Sequence, residues 1–242
     1  MTYNEKIASE VIAWKRQMLR RPGVLNKMSK KVQDKINSFI PEKVHKGITV
    51  TIKQMIRGVL FGAHWTTKRN RDFVDLLAKD LAADEKIKFY QGTAATEGAV
   101  TGAGGLLLGL ADFPIFLAIK FKLLFELASI YGYNTDKYQE RVYILHIFQL
   151  AFSSAKHRKE VFLEMSDWDK KSTELPEDIN QFNWRSFQQE YRDYIDLAKM
   201  AQLVPVIGAP VGAVANYQLV KKLGRYAKNA YRMRLLPLEL EK

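Results

Sequence analysis

The sequence predicts an all-α protein: one multi-helix domain over residues 1–242, with a glycine-rich apolar helical hairpin at its centre. Apolar residues recur at three- and four-residue spacing through most of the chain, which is the period of an amphipathic helix. No stretch of useful length alternates with period two and strand-like composition. The 242 residues are 47% apolar and can bury a substantial core, and there is no cysteine for a disulfide scaffold.

The first predicted helix spans residues 4–21 and ends at a Pro-Gly pair. Its apolar residues Ile7, Val11, Trp14 and Met18 share one face, and basic residues lie between and after them. Two interpretations of this face stay open. It packs on the domain, or it lies in a membrane interface with the tryptophan at the apolar boundary.

Three further amphipathic helices are predicted before the glycine-rich segment. Residues 24–39 carry apolar side chains on one face and lysines off it, residues 48–62 form a more apolar helix, and residues 72–81 form a short one. The helices before residue 72 make residues 1–71 a region of basic amphipathic helices.

Residues 84–133 form the predicted centre, and their middle is the most apolar and glycine-dense stretch of the chain. Asp112 has the position of a helix N-cap, with Pro114 in the first turn, where the missing N–H costs no hydrogen bond. This break would leave two apolar pieces, each shorter than the roughly 20 residues needed to cross a membrane. Lys120 and Lys122 indicate that the second piece has one wet side. We therefore favour a buried or interfacial hairpin over transmembrane helices.

The second half is predicted to contain a long amphipathic helix at residues 135–166, a polar proline-containing loop at residues 167–183 and C-terminal helices at residues 184–236. Within the last region, residues 204–217 are again rich in small residues. Their two prolines favour a broken hairpin over one straight helix, followed by a last basic helix at residues 219–236.

Four GxxxG spacings occur, and three of them lie in the two small-residue segments. Glycine inside a helix costs about 1 kcal/mol relative to alanine, so several together predict a close approach between residues 98–110 and 204–217. The alternative is a glycine-lined cavity or a hairpin inserted in a membrane. The residues assigned to this packing site or pocket are Gly98, Gly102, Gly105, Gly109, Asp112, Pro114, Gly208, Gly212 and Asn216.

The net charge of +12 is unevenly distributed. Residues 1–71 contain 16 Lys/Arg and 4 Asp/Glu, residues 72–220 contain 15 and 20, and residues 221–242 contain 7 and 2. Basic ends around a mildly acidic middle indicate that the ends meet a polyanion. No nucleic-acid-binding motif is present, so we expect no nucleic acid and favour an anionic membrane surface. The residues assigned to that surface are Trp14, Lys15, Arg16, Arg20, Arg21, Lys27, Lys30 and Lys31.

No catalytic motif is found in the sequence. The segment TGAGG lacks the GK[ST] of a phosphate-binding loop, and neither GxSxG nor HExxH occurs. Glu97 and Asp112 bracket the apolar run and are interpreted as a helix-end residue and a cap, although carboxylates in such surroundings can act as acid or base. The four histidines are scattered, and His157 with Glu160 is interpreted as a solvated helix face, so no metal or cofactor is expected.

The run GAVTGAGGLLLGLADFPIFLAIKFKLLFELASIYGYN, followed at a distance by VPVIGAPVGAVANY and a basic helix, resembles the EcsC family over nearly the whole chain. The resemblance implies a setting rather than a mechanism. The family takes its name from an operon that also encodes the ATPase and membrane subunits of the Ecs ABC transporter. Its members are described as transporter-associated or, occasionally, as peptidases or hydrolases. The resemblance implies no catalytic residues for this chain.

These observations predict a non-enzymatic accessory protein at the cytoplasmic face of a bacterial membrane, bound peripherally to anionic lipid or to the membrane subunit of an ABC transporter. One alternative is a hydrolase of peptides or lipids that uses Glu97 or Asp112 beside a histidine. A second alternative is a carrier of lipids or other hydrophobic ligands, with a cavity between its helices.

Overall fold

A computed structural model describes residues 2–20, 42–61, 73–103, 105–153, 157–181, 183 and 209–236. The all-α prediction is confirmed, since these residues contain α-helices and short 3-10 turns but no β-strand. Buried residues of every described α-helix join one hydrophobic cluster. The α-helices are α1 (Tyr3–Leu19), α2 (Glu42–Phe61), α3 (Leu76–Ala103), α4 (Gly105–Tyr131), α5 (Tyr138–Phe152), α6 (Arg158–Met165), α7 (Trp168–Lys171) and α8 (Ala209–Leu235).

Helix α1 begins with a reciprocal capping box. The Glu5 N–H donates to the Thr2 hydroxyl at 3.3 Å, and the Thr2 N–H donates to the Glu5 carboxylate at 2.8 Å. These bonds satisfy two N–H groups that have no partner within the helix. The four apolar residues predicted to share a face on α1 are all buried.

The buried face of α1 decides between the two interpretations of that helix, because it packs on the domain. Trp14 is 5% exposed and makes edge-to-face contacts with Phe162 of α6 and Tyr226 of α8, at ring-centroid distances of 5.4 and 6.2 Å. The assignment of Trp14 to a membrane surface is therefore wrong. Its ring belongs to the core.

Helices α3 and α8 make the most extensive contact among the described helices. They run antiparallel, since each step forward on α3 is matched by a step back on α8. The contacts that set this register are Asp80 with Arg232, Asp84 with Lys228, Ile87 with Gly224, and Glu97 with Asn216.

Gly224 is required by the packing of α8 on α3. A Cβ atom at this position would lie 2.6 Å from Cγ1 of Ile87, a separation that side chains do not tolerate. Helices α3 and α8, which carry parts of the two glycine-rich segments, pack together. The close approach described by the structure, however, lies at Gly224, beyond residues 204–217.

Helix α4 runs antiparallel to α3 on another side. The Tyr90 hydroxyl donates to Glu126 at 2.7 Å, and Nζ of Lys79 donates to the Tyr131 carbonyl at 3.0 Å. Helix α4 stops at Gly132. This residue has a φ of +96°, and α4 ends there in a Schellman motif.

The predicted helix break at Asp112 is wrong. Helix α4 continues through Pro114, so Asp112 lies inside the helix and is not its N-cap. The interruption instead separates α3, which ends at Ala103, from α4, which begins at Gly105. The sequence TGAGG concentrates glycines there, and glycine is the poorest helix former after proline, so ending a helix at this point costs little. No described helix combines the length and apolarity that crossing a membrane requires.

Three other predicted elements have different bounds. The short helix at residues 72–81 is the start of α3, which has 28 residues. The long helix at residues 135–166 is two helices, α5 and α6. The polar loop at residues 167–183 is packed: it contains α7 and two 3-10 turns, and Trp168 is only 5% exposed, with its ring centroid 5.4 Å from that of Tyr143.

Helix α8 is a single element of 27 residues. The small-residue run from residue 209 onward and the last basic helix are therefore continuous, which corrects the predicted hairpin over this part. Pro210 lies in the first turn, where its missing N–H costs no hydrogen bond. The helices predicted at residues 24–39 and 184–202 lie outside the described residues.

Candidate functional site

Three polar residues from three helices form a cluster beside the glycine-rich segments. Asn216 on α8 is 2% exposed and donates from Nδ2 to Oε2 of Glu97 on α3 at 3.1 Å. Lys120 on α4 is 0% exposed, and the charge of Glu97 acts on it. We call this cluster, together with residues 98–112, the glycine end.

Burial dominates the electrostatics of Lys120. It lowers the pKa of the amine well below 10.5, because the charged form is costly to desolvate, and the negative charge of Glu97 acts in the opposite direction. The cluster thus holds an amine with reduced proton affinity near a carboxylate and an amide. Since Lys120 has no exposed surface, the cluster acts first as a buried junction of three helices.

The spacing of apolar residues around Lys120 indicates that this side chain is buried, whereas its charge suggests that it is exposed. Phe113, Leu117, Lys120 and Leu124 recur at the spacing of one helix face, and all four are buried. Lys122 lies off this face, and its side chain is 36% exposed. The predicted wet side is therefore confirmed for Lys122 and wrong for Lys120, whose place in the apolar period outweighs its charge.

An apolar groove opens between α2 and the part of α4 that carries Lys120. Its volume is about 270 Å³. Thr51 and Gln54 are polar, and the other side chains along it are apolar. The lining residues are Val50, Thr51, Gln54, Met55, Gly58, Pro114, Leu117, Ala118 and Phe121.

Gly58 and Pro114 shape this groove. A Cβ atom at Gly58 would meet nothing within 4 Å, so its missing side chain leaves open space and Gly58 itself makes no close contact. Pro114 is exposed on the α4 side, and Val50 is 57% exposed on the α2 side, so the groove opens to the surface. Such a lining suits an apolar group of a ligand rather than an ion.

The basic residues near the two chain ends have different surroundings. Arg16, Arg20, Lys53 and Arg57 on α1 and α2 are exposed. On α8, three basic residues form internal ion pairs instead: Lys228 with Asp84, Arg232 with Asp80 and Glu10, and Arg234 with Glu140 and Asp169. The inference that both ends meet a polyanion is therefore wrong for these three residues, whose charges the acidic middle of the chain neutralises.

Two of these pairs, Asp80 with Arg232 and Glu140 with Arg234, define what we call the arginine end. Arg232 donates from Nη2 and Nε to the two Asp80 oxygens at 2.8 and 3.0 Å. The Tyr3 hydroxyl donates to the same carboxylate at 2.5 Å, and the Tyr131 hydroxyl donates as well. Burial alone would raise the pKa of Asp80. The hydrogen bonds outweigh it and hold that pKa below 3.8.

The second pair adds aromatic stacking. Arg234 donates from Nη1 and Nη2 to the two oxygens of Glu140 at 2.6 and 2.8 Å. Its guanidinium carbon lies 3.8 Å from the ring centre of Tyr133 and 4.6 Å from that of Tyr143. Bidentate pairing and stacking are specific to arginine, so this end of the molecule is a structural clamp.

His146 and His157 have partners outside the glycine end. His146 is hydrogen-bonded to Gln149 at 3.1 Å, and burial lowers its pKa to about 4. His157 pairs with the exposed side chain of Glu160 at 2.6 Å, as predicted for a solvated face. No group of three His, Cys, Asp or Glu that could hold a metal ion occurs in the described part of the chain.

The residues assigned to a packing site or pocket are distributed over three helices. Gly98 and Gly102 lie on α3, Gly105, Gly109, Asp112 and Pro114 on α4, and Gly212 and Asn216 on α8. Among them, Asn216 joins the polar cluster and Pro114 lines the groove. Gly208 and the basic residues Arg21, Lys27, Lys30 and Lys31 lie outside the described residues, while Lys15 is half-buried on α1.

Comparison with known proteins identifies the family of this chain. Residues 5–236 match the profile of the EcsC protein family. The chain belongs to that family. Protein EcsC of Bacillus subtilis strain 168 is 42% identical to it over 237 residues, covering 98% of both chains. Uncharacterized protein YdbA of the same strain is 27% identical over 218 residues, covering 88% of this chain and 79% of YdbA. No solved structure matches. The EcsC resemblance of the two glycine-rich motifs is thus confirmed.

Proposed function

We propose that this EcsC-family chain is a non-enzymatic accessory protein that binds anionic lipid at the inner face of the cell membrane. The observation that carries the proposal is the unequal use of basic residues. Arg16, Arg20, Lys53 and Arg57 of the N-terminal region are exposed, whereas the arginines of the arginine end are buried in ion pairs. In the described part of the chain, the exposed basic residues of the N-terminal region lie on the surface, whereas Arg232 and Arg234 are used inside the protein.

Electrostatics makes such binding strong enough to matter. Each Lys or Arg near an anionic membrane surface contributes about 1 kcal/mol, and the attraction fades within a Debye length. Residues 1–71 contain 16 Lys/Arg and 4 Asp/Glu, so several such contacts together support reversible peripheral binding. Binding of this kind weakens as the salt concentration rises.

The glycine end supplies a second, apolar contact in this proposal. Helices α3 and α4 are consecutive and antiparallel, and the end of α3 and the start of α4 are rich in glycine. Near it, Ile115 is 57% exposed, Val214 62% and Tyr217 40%. Exposed apolar side chains beside small residues suit contact with lipid or with the membrane subunit of a transporter. Membership of the EcsC family supports the transporter setting.

Flotation with vesicles tests the proposal. The full chain should float with phosphatidylglycerol vesicles at low salt and much less with phosphatidylcholine vesicles. The double variant Arg16→Glu/Arg20→Glu should lower the affinity for phosphatidylglycerol by about tenfold or more, because attraction becomes repulsion. The matched control Lys88→Glu/Lys221→Glu changes two exposed lysines of α3 and α8 and should bind like the wild type. A chain that ignores both vesicle types would refute the proposal.

A further inference from the structure

We propose that the groove between α2 and α4 holds one acyl chain of an anionic lipid, with the lipid headgroup at Lys53 and Arg57 on the flank of α2. This inference rests on the proposed membrane function and specifies where the lipid binds. It joins three observations: the shape of the groove, its open position over Gly58, and the charges beside it.

The groove is elongated along its two helices. On α2 its lining runs from Val50 to Gly58, and on α4 from Pro114 to Phe121, at three- and four-residue steps on each helix. At 1.5 Å per residue, each wall extends over about 10–12 Å. A narrow apolar channel of that length suits a linear alkyl chain.

The groove also presents apolar surface that no described residue covers at Gly58. Leu117 and Phe121 are 1% and 0% exposed and belong to the core, while the space above Gly58 contains no atom within 4 Å of an added Cβ. Val50 and Pro114 are exposed at the rim. Filling this space with an alkyl chain removes apolar surface from water, which is favourable in proportion to the area buried.

The charges beside the groove select the headgroup. Lys53 and Arg57 are exposed, and each precedes a lining residue, so each lies about 100° around α2 from the groove wall. Helix α2 as a whole contains four Lys/Arg and one Asp/Glu. An amphiphile with an apolar tail and a phosphate head matches this combination, because the guanidinium and ammonium groups donate hydrogen bonds to phosphate oxygens.

Two glycines provide a matched test. Gly58 in the groove and Gly92 on the exposed side of α3 both lie inside helices, and an added Cβ would meet nothing within 4 Å at either. Leucine is a better helix former than glycine, so Gly58→Leu and Gly92→Leu should both fold.

Binding is measured by calorimetric titration of the full chain with two lysolipids. These are palmitoyl lysophosphatidylglycerol, kept below its micelle concentration, and the lysophosphatidylcholine of the same chain length.

We expect Gly58→Leu to raise the Kd for both lysolipids by about tenfold or more, and Gly92→Leu to stay within about twofold of the wild type. The variant Arg57→Glu should weaken binding of lysophosphatidylglycerol alone, because only that lipid has a net negative head. Two results would overturn the assignment of the headgroup: Arg57→Glu weakens the binding of both lysolipids equally, or it weakens the binding of neither.

The outcomes separate this inference from the proposed function. If Gly58→Leu binds lysophosphatidylglycerol as the wild type does, the groove is not the acyl site, whether or not the wild type floats with anionic vesicles. If the groove takes up the lysolipid while the wild type ignores both vesicle types, the groove inference stands and the membrane function fails.

Discussion

The two ends of the α3–α8 pair use opposite chemistry. At the arginine end, Asp80 and Arg232 form a buried ion pair with further hydrogen bonds from two tyrosines. At the glycine end, about 25 Å along α3 at 1.5 Å per residue, Glu97 meets Asn216 and a buried amine. At the arginine end, the two arginines are paired with carboxylates, and Arg234 stacks on aromatic rings. The other end combines small residues, a desolvated lysine and exposed apolar side chains.

The difference indicates where the molecule is stabilised and where it is available to a partner. The clamp of the arginine end ties α1, α3, α4 and α8 together through a single carboxylate. At the other end, the polar contact of Asn216 with Glu97 joins α8 to α3, and exposed apolar side chains such as Val214 and Ile115 lie nearby. Function is therefore expected at the glycine end and in the groove beside it.

The largest effect is expected when the arginine end is broken. Asp80→Asn keeps the size of the side chain and removes its charge, which leaves the buried Arg232 with only the half-exposed carboxylate of Glu10 as counter-ion. Losing one partner of a buried ion pair costs about 3–5 kcal/mol. We expect the free energy of unfolding, measured by urea titration at pH 7, to fall by that amount.

Asp84→Asn is the matched control for this change. Asp84 pairs with Lys228, about one turn of α8 away from Arg232, but its side chain is 51% exposed. A solvent-exposed pair contributes about 0–1 kcal/mol, so this variant should stay close to the wild type. Equal losses at positions 80 and 84 would mean that the arginine end is not a distinct clamp.

Acid should weaken the same end. Because the pKa of Asp80 is held below 3.8 in the folded protein, the unfolded chain binds this proton more tightly. The stabilisation is complete above the unfolded pKa and is lost as the pH falls through the folded pKa, with a slope of at most about 1.4 kcal/mol per pH unit. Urea titrations from neutral pH downward should show this loss in the wild type and a shallower slope in Asp80→Asn. Parallel profiles would contradict the assignment.

Between the two ends, Gly224→Ala tests the contact that sets the spacing of α3 and α8. Alanine normally stabilises a helix interior, but here its Cβ would lie 2.6 Å from Ile87. We expect overpacking to lower the free energy of unfolding by about 1–3 kcal/mol. Gly92→Ala, where the added Cβ meets nothing within 4 Å, should instead raise it by up to about 1 kcal/mol. The same sign for both changes would exclude a close approach at Gly224.

Local periodicity made the helical class and the buried face of α1 predictable. A helix face depends on residues three and four positions apart, so Ile7, Val11, Trp14 and Met18 identify it without any knowledge of the fold. The same reasoning applied to Phe113, Leu117 and Leu124 would have placed Lys120 in the core.

Pairings between distant residues could not be predicted in this way. Asp80 and Arg232 are 152 positions apart, and nothing in the sequence links them. Without that link, the basic C-terminal region resembled a surface for a polyanion, whereas part of its charge neutralises the acidic middle of the chain. The helix bound before α4 was also missed, because the capping pattern at Asp112 and Pro114 favoured a break there, whereas α4 continues through both residues.

The smallest effect on stability is expected at the glycine end, from Lys120→Met. Methionine has a similar length and no charge, so it removes a desolvated amine without leaving a large cavity. Glu97 loses the attraction of this amine but keeps the hydrogen bond that Asn216 donates, so the variant does not leave that carboxylate without a partner. We expect the free energy of unfolding at pH 7 to equal that of the wild type or to exceed it by about 0–2 kcal/mol.

The pH dependence of that difference separates the cost of burying the Lys120 amine from any effect of its packing. Because burial lowers the pKa of Lys120 well below 10.5, the folded protein binds this proton less tightly than the unfolded chain does. The cost of burying the protonated amine is therefore complete below the pKa that Lys120 has in the folded protein, and it disappears as the pH rises towards 10.5. Urea titrations of Lys120→Met and wild type should differ most at neutral pH and converge as the solution becomes alkaline. If Lys120→Met is less stable than the wild type by the same amount at every pH, the lysine stem stabilises the glycine end through its packing. The contrast between the two ends would then be smaller than the structure indicates.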